Sequence, residues 1–174
     1  SGRRLVRPEP NVEPALPSKA NPLMPDEIEL RFRENYPAYQ YHFVEFLTEH
    51  LSDVSREFGG DLQEMLVLAI IGQMHLRAVI DSQSGSIASQ KIRQNPPQIT
   101  ASRIADASGI PRETVRRKLA KLGKRGWIEQ GADGAWRLVL GETSAKARDE
   151  LSALDSRAIA RVAGLFSRLQ GLLR

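Results

Sequence analysis

The chain of 174 residues is long enough to fold as one domain, or as one small domain with helical additions, around a sizeable core. It contains no cysteine, which excludes a disulfide scaffold and any metal site built from thiolates. The net charge of +4 is unevenly distributed: residues 26–64 carry ten acidic and three basic side chains, whereas residues 87–137 carry eleven basic and four acidic ones.

The first 25 residues contain six prolines and few apolar side chains, which is typical of a flexible and partly extended arm. They lack an apolar core of the signal-peptide kind. The longest unbroken apolar run of the chain, Met65 to Ile71, is too short to span a bilayer. We therefore expect a cytoplasmic protein without a membrane partner.

Residues 26–80 have a helical pattern and are interpreted as a dimerisation and core region. The segment DEIELRFREN predicts a short helix, Pro37 is well placed to open a second one, and Gly59 and Gly60 end it. An apolar stripe runs along this second helix at spacings of three and four residues: Tyr39, Phe43, Leu47, Leu51, Val54 and Phe58. Asp61 can cap a third helix, whose nearly uniform apolar character suits the middle of a fold.

Residues 81–98 are polar and predict a loop, and the elements beyond it are shorter. First come a helix that ends near Ser108, a sharp turn at Gly109 and a basic helix. Two strands, 127–130 and 135–140, then pair around the turn sequence GADG. From Thr143 onwards a final long helix carries a second apolar stripe, formed by Leu151, Leu154, Ala158, Val162, Leu165, Leu169 and Leu172.

The two long apolar stripes lie at opposite ends of the chain, and the small region 99–140 between them cannot cover both. Two arrangements remain open. The stripes can pack on each other and on the helix that contains Met65 within one protomer. Alternatively they build the two-fold interface of a homodimer, with residues 141–174 as a dimerisation helix, and we favour this second arrangement.

The stretch Ile110 to Gly126, IPRETVRRKLAKLGKRG, contains seven basic residues and one acidic residue. Like charges on one helix repel each other, so we expect a partner outside the chain to offset the loss of stability. Val115, Leu119 and Leu122 mark the buried face. At about 100° per residue the opposite face presents Glu113, Arg117, Ala120 and Lys124, with Arg116 and Lys121 at its flanks.

The run IADASGIPRETVRRKLAKLGKRGWI resembles the helix-turn-helix of winged-helix transcription regulators. Its RETV segment is similar to the recognition helix of the cyclic-AMP receptor/FNR type, while the order of helices, winged helix and long terminal helix is closer to the MarR family. The resemblance covers residues 99–140. It implies a mainly α fold, with a three-helix core, a small β-hairpin wing and additional dimerisation helices at both ends.

The resemblance also implies the function, which is regulation of transcription by a homodimer that binds double-stranded DNA with the helix 111–124 in the major groove. Arg112, Glu113 and Arg117 would reach base edges, because a guanidinium can hold guanine O6 and N7 and a carboxylate can accept from cytosine N4. Thr100 would contact a phosphate from the start of the preceding helix.

On the wing, Arg137 would contact the minor groove or a phosphate. The complete set of expected DNA contacts is Thr100, Ser102, Arg112, Glu113, Thr114, Arg116, Arg117, Lys121, Lys124 and Arg137.

Patterns of catalytic sites are absent from the sequence, which contains no GxxxxGK loop, GxSxG elbow or HExxH pair. His42, His50 and His75 lack metal-ligand spacing, and the acids of residues 26–64 are interpreted as solvated helix surface. We expect neither an enzyme nor a cofactor, and the sequence identifies no small-molecule effector.

The competing hypothesis is a winged helix that serves as a protein-interaction module of a structural complex. The basic outward face of the helix favours DNA.

Overall fold

The computed structural model describes residues 23–82 and 95–174. Almost all of the predicted arm, and most of the predicted loop 81–98, lie outside these residues. The described elements are mainly helical with one small hairpin, as predicted. In chain order they are α1 (Pro25–Glu34), α2 (Tyr36–Glu57), α3 (Leu62–Ser82), α4 (Ala101–Ser108), α5 (Arg112–Lys124), β1 (Ile128–Gln130), β2 (Trp136–Leu138), α6 (Lys146–Glu150) and α7 (Ser152–Gly171).

The predicted signals at the junction of α2 and α3 are confirmed. Gly59 and Gly60 have positive φ angles of 59° and 84°, a region that side chains other than glycine rarely adopt, and they end α2. Asp61 caps α3, because its Oδ1 accepts a hydrogen bond of 3.0 Å from the amide of Glu64.

The core lies where the inner face of α3 meets α4, α5 and the hairpin. Val115, Leu119 and Leu122, the three residues predicted to form the buried face of α5, are fully buried. Gly109, with a φ of 69°, lets the chain turn between α4 and α5. Other buried apolar members of this core are Val67, Leu68, Ile71, Ile99, Ile104, Ile110, Trp127, Ile128 and Leu138.

The predicted hairpin is confirmed, and the structure adds a short bridge to it. β1 and β2 are antiparallel and pair Ile128 with Leu138. Ile99 forms a further antiparallel bridge with Trp136, through two backbone hydrogen bonds of 2.9 and 2.8 Å. The hairpin is thereby attached to the segment that leads into α4, and this attachment positions it beside α5.

The final helix differs from the prediction of one long helix from Thr143. Residues 141–144 form a turn in which the amide of Gly141 donates to the carbonyl of Ser144 at 2.7 Å, and Leu140 and Ala145 form a β-bridge. The helix therefore starts later. Leu151, with φ of −91° and ψ of 12°, separates α6 from α7.

α2 and α7 pack against each other within one chain, which was the first of the two arrangements left open by the sequence. Asp53 lies between two arginines of α7: its Oδ2 is 2.7 Å from Nε of Arg157 and 2.8 Å from Nη1 of Arg161. Arg168 approaches Glu45 at 3.6 Å further along. Since Glu45 precedes Asp53 while Arg168 follows Arg157, the two helices are antiparallel.

Parts of both predicted stripes are not covered by this packing. Val54 of α2, Phe58 directly after it and Leu154 of α7 are buried, whereas Phe43 and Val162 remain exposed. The stripes therefore pack within the protomer only over part of their length.

α3 is the one helix in the described residues that is long and apolar enough to cross a membrane by length and composition alone. Core helices of globular proteins pass the same test, so it is weak support for a membrane span. The inner face of α3 contributes Val67 and Ile71 to the core, while Leu76 and Ile80 on its outer side are exposed. The expectation of a helix in the middle of the fold thus holds for one face.

Candidate nucleic-acid interface

The orientation of α5 is set by its apolar face. Pro111 occupies the position before the helix and provides no side-chain cap, and α5 begins at Arg112. Because Val115, Leu119 and Leu122 are fixed in the core, the positions on the opposite side of the helix must point away from it. The structure thus has the outward basic face that the spacing predicted.

The outward face of α5 presents exposed side chains: Arg112, Glu113, Arg116, Arg117, Ala120 and Lys124. Arg116 forms an ion pair of 3.1 Å with Glu113, one helical turn away. Arg117 donates a hydrogen bond of 3.3 Å to the hydroxyl of Thr114. Within the described part of the chain, Arg112 and Lys124 have no ion-pair partner. These contacts are exposed and local, so they leave the guanidinium groups accessible to a ligand.

A cleft of about 480 Å³ lies between the start of α4, the start of α5 and the hairpin. Four of the predicted contact residues line it, namely Thr100, Ser102, Arg112 and Arg116. Thr100 is the N-cap of α4, where its hydroxyl accepts from the amide of Arg103 at 3.4 Å. The cleft therefore combines two guanidinium groups and the start of a helix, which suit an anion, with the carboxylate of Asp133, which accepts hydrogen bonds from Gln98 and Ala135.

The hairpin is less basic than its sequence suggested. Arg137 lies directly opposite Glu129 and forms an ion pair of 2.8 Å with it, so its charge is offset across the strands. Asp133 accepts hydrogen bonds from the amide of Ala135 at 3.1 Å and from the side chain of Gln98 at 2.7 Å. This acidic residue at the tip thereby stabilises the turn of the hairpin.

A second set of basic residues lies on the inner side of α5, against the start of α3. Nζ of Lys118 is 2.7 Å from Oδ2 of Asp61, and Nζ of Lys121 is 3.6 Å from the same atom. Lys121 also forms an ion pair with Glu64, whose other oxygen lies 3.6 Å from Nε of Arg125. Three of the seven basic residues are thus neutralised by acids of the same chain.

Burial corrects the interpretation of the acids in residues 26–64 as solvated helix surface. The side chain of Glu64 is fully buried, and that of Asp53 is 9% exposed. Basic side chains from other parts of the chain lie beside both carboxylates, which offsets the cost of burying them. The interpretation was wrong for these two residues, since their partners come from distant parts of the chain.

The same contacts shift the pKa values of Asp61 and Lys121. Burial raises the pKa of Asp61, but the hydrogen bonds from Lys118 and from the Glu64 amide, together with the charge of Lys121, bring it below its ordinary value. The close contact with the Glu64 carboxylate raises the pKa of Lys121 despite partial desolvation. Both groups are therefore charged at neutral pH, and the ion pairs persist there.

The expected contact residues thus fall into separate environments. Arg112, Arg116 and Thr100 lie together at the cleft, and Arg117 and Lys124 share the outward face of α5, whereas Lys121 and Arg137 are held by acids. The pairing of Asp61 and Glu64 with the inner cations was not predicted from the sequence. One signal could have found it: Lys118, Lys121 and Arg125 are spaced by three and four residues, so they form a basic face of their own.

The histidines and acids do not assemble into a metal site in the part of the chain that the structure describes. His50 stacks on Phe46, with ring centroids 5.7 Å apart. Burial lowers the pKa of His75, which favours its neutral form.

Comparison with known families gives a match over the region of α4 and α5. Residues 92–132 match the model of the IclR helix-turn-helix domain, and this range includes α4, α5 and β1. Comparisons with curated proteins and with solved structures gave no match. The similarity to the cyclic-AMP receptor/FNR and MarR types therefore depends on sequence pattern alone. The IclR match supports a helix-turn-helix, DNA-binding regulator of transcription.

Proposed function

We propose that this protein is a sequence-specific regulator of transcription that binds double-stranded DNA as a homodimer, with α5 in the major groove. The observation that carries the proposal is the outward face of α5, where Arg112, Arg116, Arg117 and Lys124 are exposed beside the cleft. An α-helix of this kind fits the width of the major groove. The function also agrees with the expected cytoplasmic location.

The proposed roles divide the residues into base contacts and backbone contacts. Arg112, Glu113 and Arg117, in the first half of α5, would contact base edges, with Thr114 holding Arg117 in position. Thr100 and Ser102 at the start of α4, Arg116, and Lys124 at the far end of α5 would contact phosphates. Residues 99–140 would form the DNA-binding unit together with the inner face of α3.

The homodimer is supported by apolar side chains that the α2–α7 pair does not cover. Ile159, Val162 and Phe166 of α7 are 63%, 52% and 66% exposed and lie along one face. Tyr41 and Val44 are likewise exposed on α2. A second copy of the chain would remove these surfaces from water, and a two-fold axis would bring two recognition helices to half-sites about 34 Å apart.

The proposal is tested by the salt dependence of binding to a random-sequence duplex, measured by fluorescence anisotropy. If the four exposed basic residues of each protomer contact phosphates, log K falls with log salt at a slope of about −7 for the dimer. A flat salt response contradicts nucleic-acid binding and supports the alternative, a protein-interaction module. That alternative is disfavoured by the composition of the outward face, which within the described residues carries charged side chains rather than an apolar surface.

A further inference from the structure

The basic residues of α5 form two faces that meet different surroundings. The outer face, consisting of Arg112, Arg116, Arg117 and Lys124, is exposed to solvent. The inner face, consisting of Lys118, Lys121 and Arg125, lies against Asp61 and Glu64 of the α3 start. The inner face is thus paired with acids of another helix, whereas the acid that meets the outer face is Glu113 of α5 itself, which pairs with Arg116 in an exposed position.

The two acids differ in how firmly they bind these cations. Asp61 is fixed twice, since it caps α3 through the Glu64 amide and also binds Lys118 at 2.7 Å. Glu64 is fully buried, and neither of its oxygens accepts a well-directed hydrogen bond. The charges of Lys121 and Arg125 therefore offset the cost of burying the Glu64 carboxylate, because an unpaired buried carboxylate is strongly unfavourable.

The cations of the inner face are not equally confined. Arg125 is held inside the protein, where its guanidinium lies 4.4 Å from the ring centroid of Trp127 and 5.5 Å from that of Phe58. Lys121 has a half-exposed side chain with a flexible stem, so it could reach solvent if Glu64 did not bind it. Glu64, together with the weaker contact from Asp61 at 3.6 Å, therefore determines whether Lys121 is available to a ligand.

A free charge on Lys121 would change the ratio of specific to random DNA affinity. Binding to random DNA depends on the number of phosphates that are neutralised, since the protein can adopt any orientation that brings free cations to the backbone. On a preferred site the base contacts fix the orientation of α5, and an extra cation on its inner side contributes less. Each additional free cation is thus expected to strengthen random binding more than specific binding.

We propose that Asp61 and Glu64 determine sequence specificity by withholding Lys118, Lys121 and Arg125 from nucleic acid. The outer face alone then contacts DNA, and non-specific affinity stays low. This inference rests on the proposed DNA-binding function, and it places Lys121 outside the interface that the sequence analysis had predicted for it.

The test compares Glu64→Gln with the unchanged protein on a random duplex and on the preferred duplex. We expect the salt slope on random DNA to become steeper by about one unit for each protomer, and random binding at low salt to strengthen roughly three- to tenfold. Binding to the preferred site changes less, so the ratio of specific to random affinity falls. Asp53→Asn is the matched control, because it removes the same charge from a buried acid that contacts α7 instead of α5.

A second pair of variants keeps the test decisive if Glu64→Gln does not fold, which its circular dichroism melting curve would reveal. Lys121→Ala alone should leave the salt slope nearly unchanged, whereas Lys124→Ala on the outer face makes it shallower by about one unit per protomer. In the Glu64→Gln background, Lys121→Ala should reverse the gain in random binding.

Two outcomes overturn the inference and can be told apart. If the unchanged protein shows a flat salt response, the DNA-binding function fails and the inference fails with it. If the unchanged protein binds DNA as expected but Lys121→Ala and Lys124→Ala reduce the slope equally, the function stands and only the role of Asp61 and Glu64 is refuted.

Discussion

Two ion-pair clusters, each with a buried acid, join helices among the described residues, and they differ in what lies on the other side of the helix. In the α2–α7 cluster, Asp53 binds Arg157 and Arg161, and these contacts hold two long helices together. In the α3–α5 cluster, Asp61 and Glu64 bind the inner cations of a helix whose outer face carries further free cations. The same chemistry therefore has a purely structural role in one place and divides charge between two faces in the other.

A dense run of basic residues therefore does not by itself give the number of cations that are available to nucleic acid. The helix α5 and its ends contain seven basic residues, and three of them are offset by acids of the same chain. The repulsion expected from the sequence is thus relieved partly from within. The remaining four lie on the exposed face, where Arg116 alone has an ion-pair partner, Glu113, among the described residues.

The largest effect is expected at the apolar face of α5, which fixes the orientation of both charged faces. Leu119 is fully buried there, so Leu119→Ala should lower the free energy of unfolding by about 2 to 5 kcal/mol, measured by urea denaturation. The control is Leu76→Ala, the same change at a side chain that is 55% exposed. Equal losses from the two variants would contradict the assignment of α5 as the helix that anchors the core.

The next effect concerns the uncovered part of the α2–α7 pair. Phe166→Glu places a charge at a side chain that is 66% exposed in one chain but would be buried between two copies. We expect self-association, measured by sedimentation velocity, to weaken about tenfold or more, because an unpaired charge would be desolvated. Ser167→Glu at the neighbouring exposed position is the control. If Phe166→Glu leaves a stable dimer intact, the proposed dimer surface is wrong.

A smaller effect is expected at Asp53 in the structural cluster. Hydrogen bonds from Arg157 and then Arg161 lower the pKa of Asp53 from 3.8 to about 2. Its contribution to stability is therefore present above pH 3.8 and is lost as the pH falls towards about 2. We expect Asp53→Asn to lower Tm by roughly 2 to 6 °C at neutral pH.

The difference in Tm between Asp53→Asn and the unchanged protein should shrink as the pH falls through this window, while the salt slope of DNA binding stays the same. A constant difference at all pH values would show that the charge of Asp53 is not what stabilises the α2–α7 pair.

Local signals in the sequence were sufficient for most of the elements that position the candidate interface. Asp61 as a cap, Gly109 as a turn and Val115 with its helical neighbours as a buried face were all predicted, because each depends on residues within a few positions. The hairpin was predicted for the same reason, since two short apolar runs flank a glycine turn.

Ion pairs between residues far apart in the sequence could not be predicted from these local signals. Asp53 and Arg157 are 104 positions apart, and Asp61 and Lys118 are 57 apart, so no window of the sequence brings them together. The acids therefore looked solvated although their partners bury them. The start of the last helix was missed for a similar reason, because it depends on a bridge between Leu140 and Ala145 that no helical periodicity indicates.

The first half of α5 is proposed to contact bases, while its far end contacts the DNA backbone. The most direct measurement compares Arg117→Ala with Lys124→Ala: preferred duplexes are selected for each variant, and DNA affinity is then measured by titration. Arg117→Ala should cost about 1 to 3 kcal/mol on the preferred site and relax the preference at one base pair per half-site. Lys124→Ala should weaken all sequences about equally. Both substitutions remove one positive charge, so equal and sequence-independent losses from the two variants would contradict base recognition by α5.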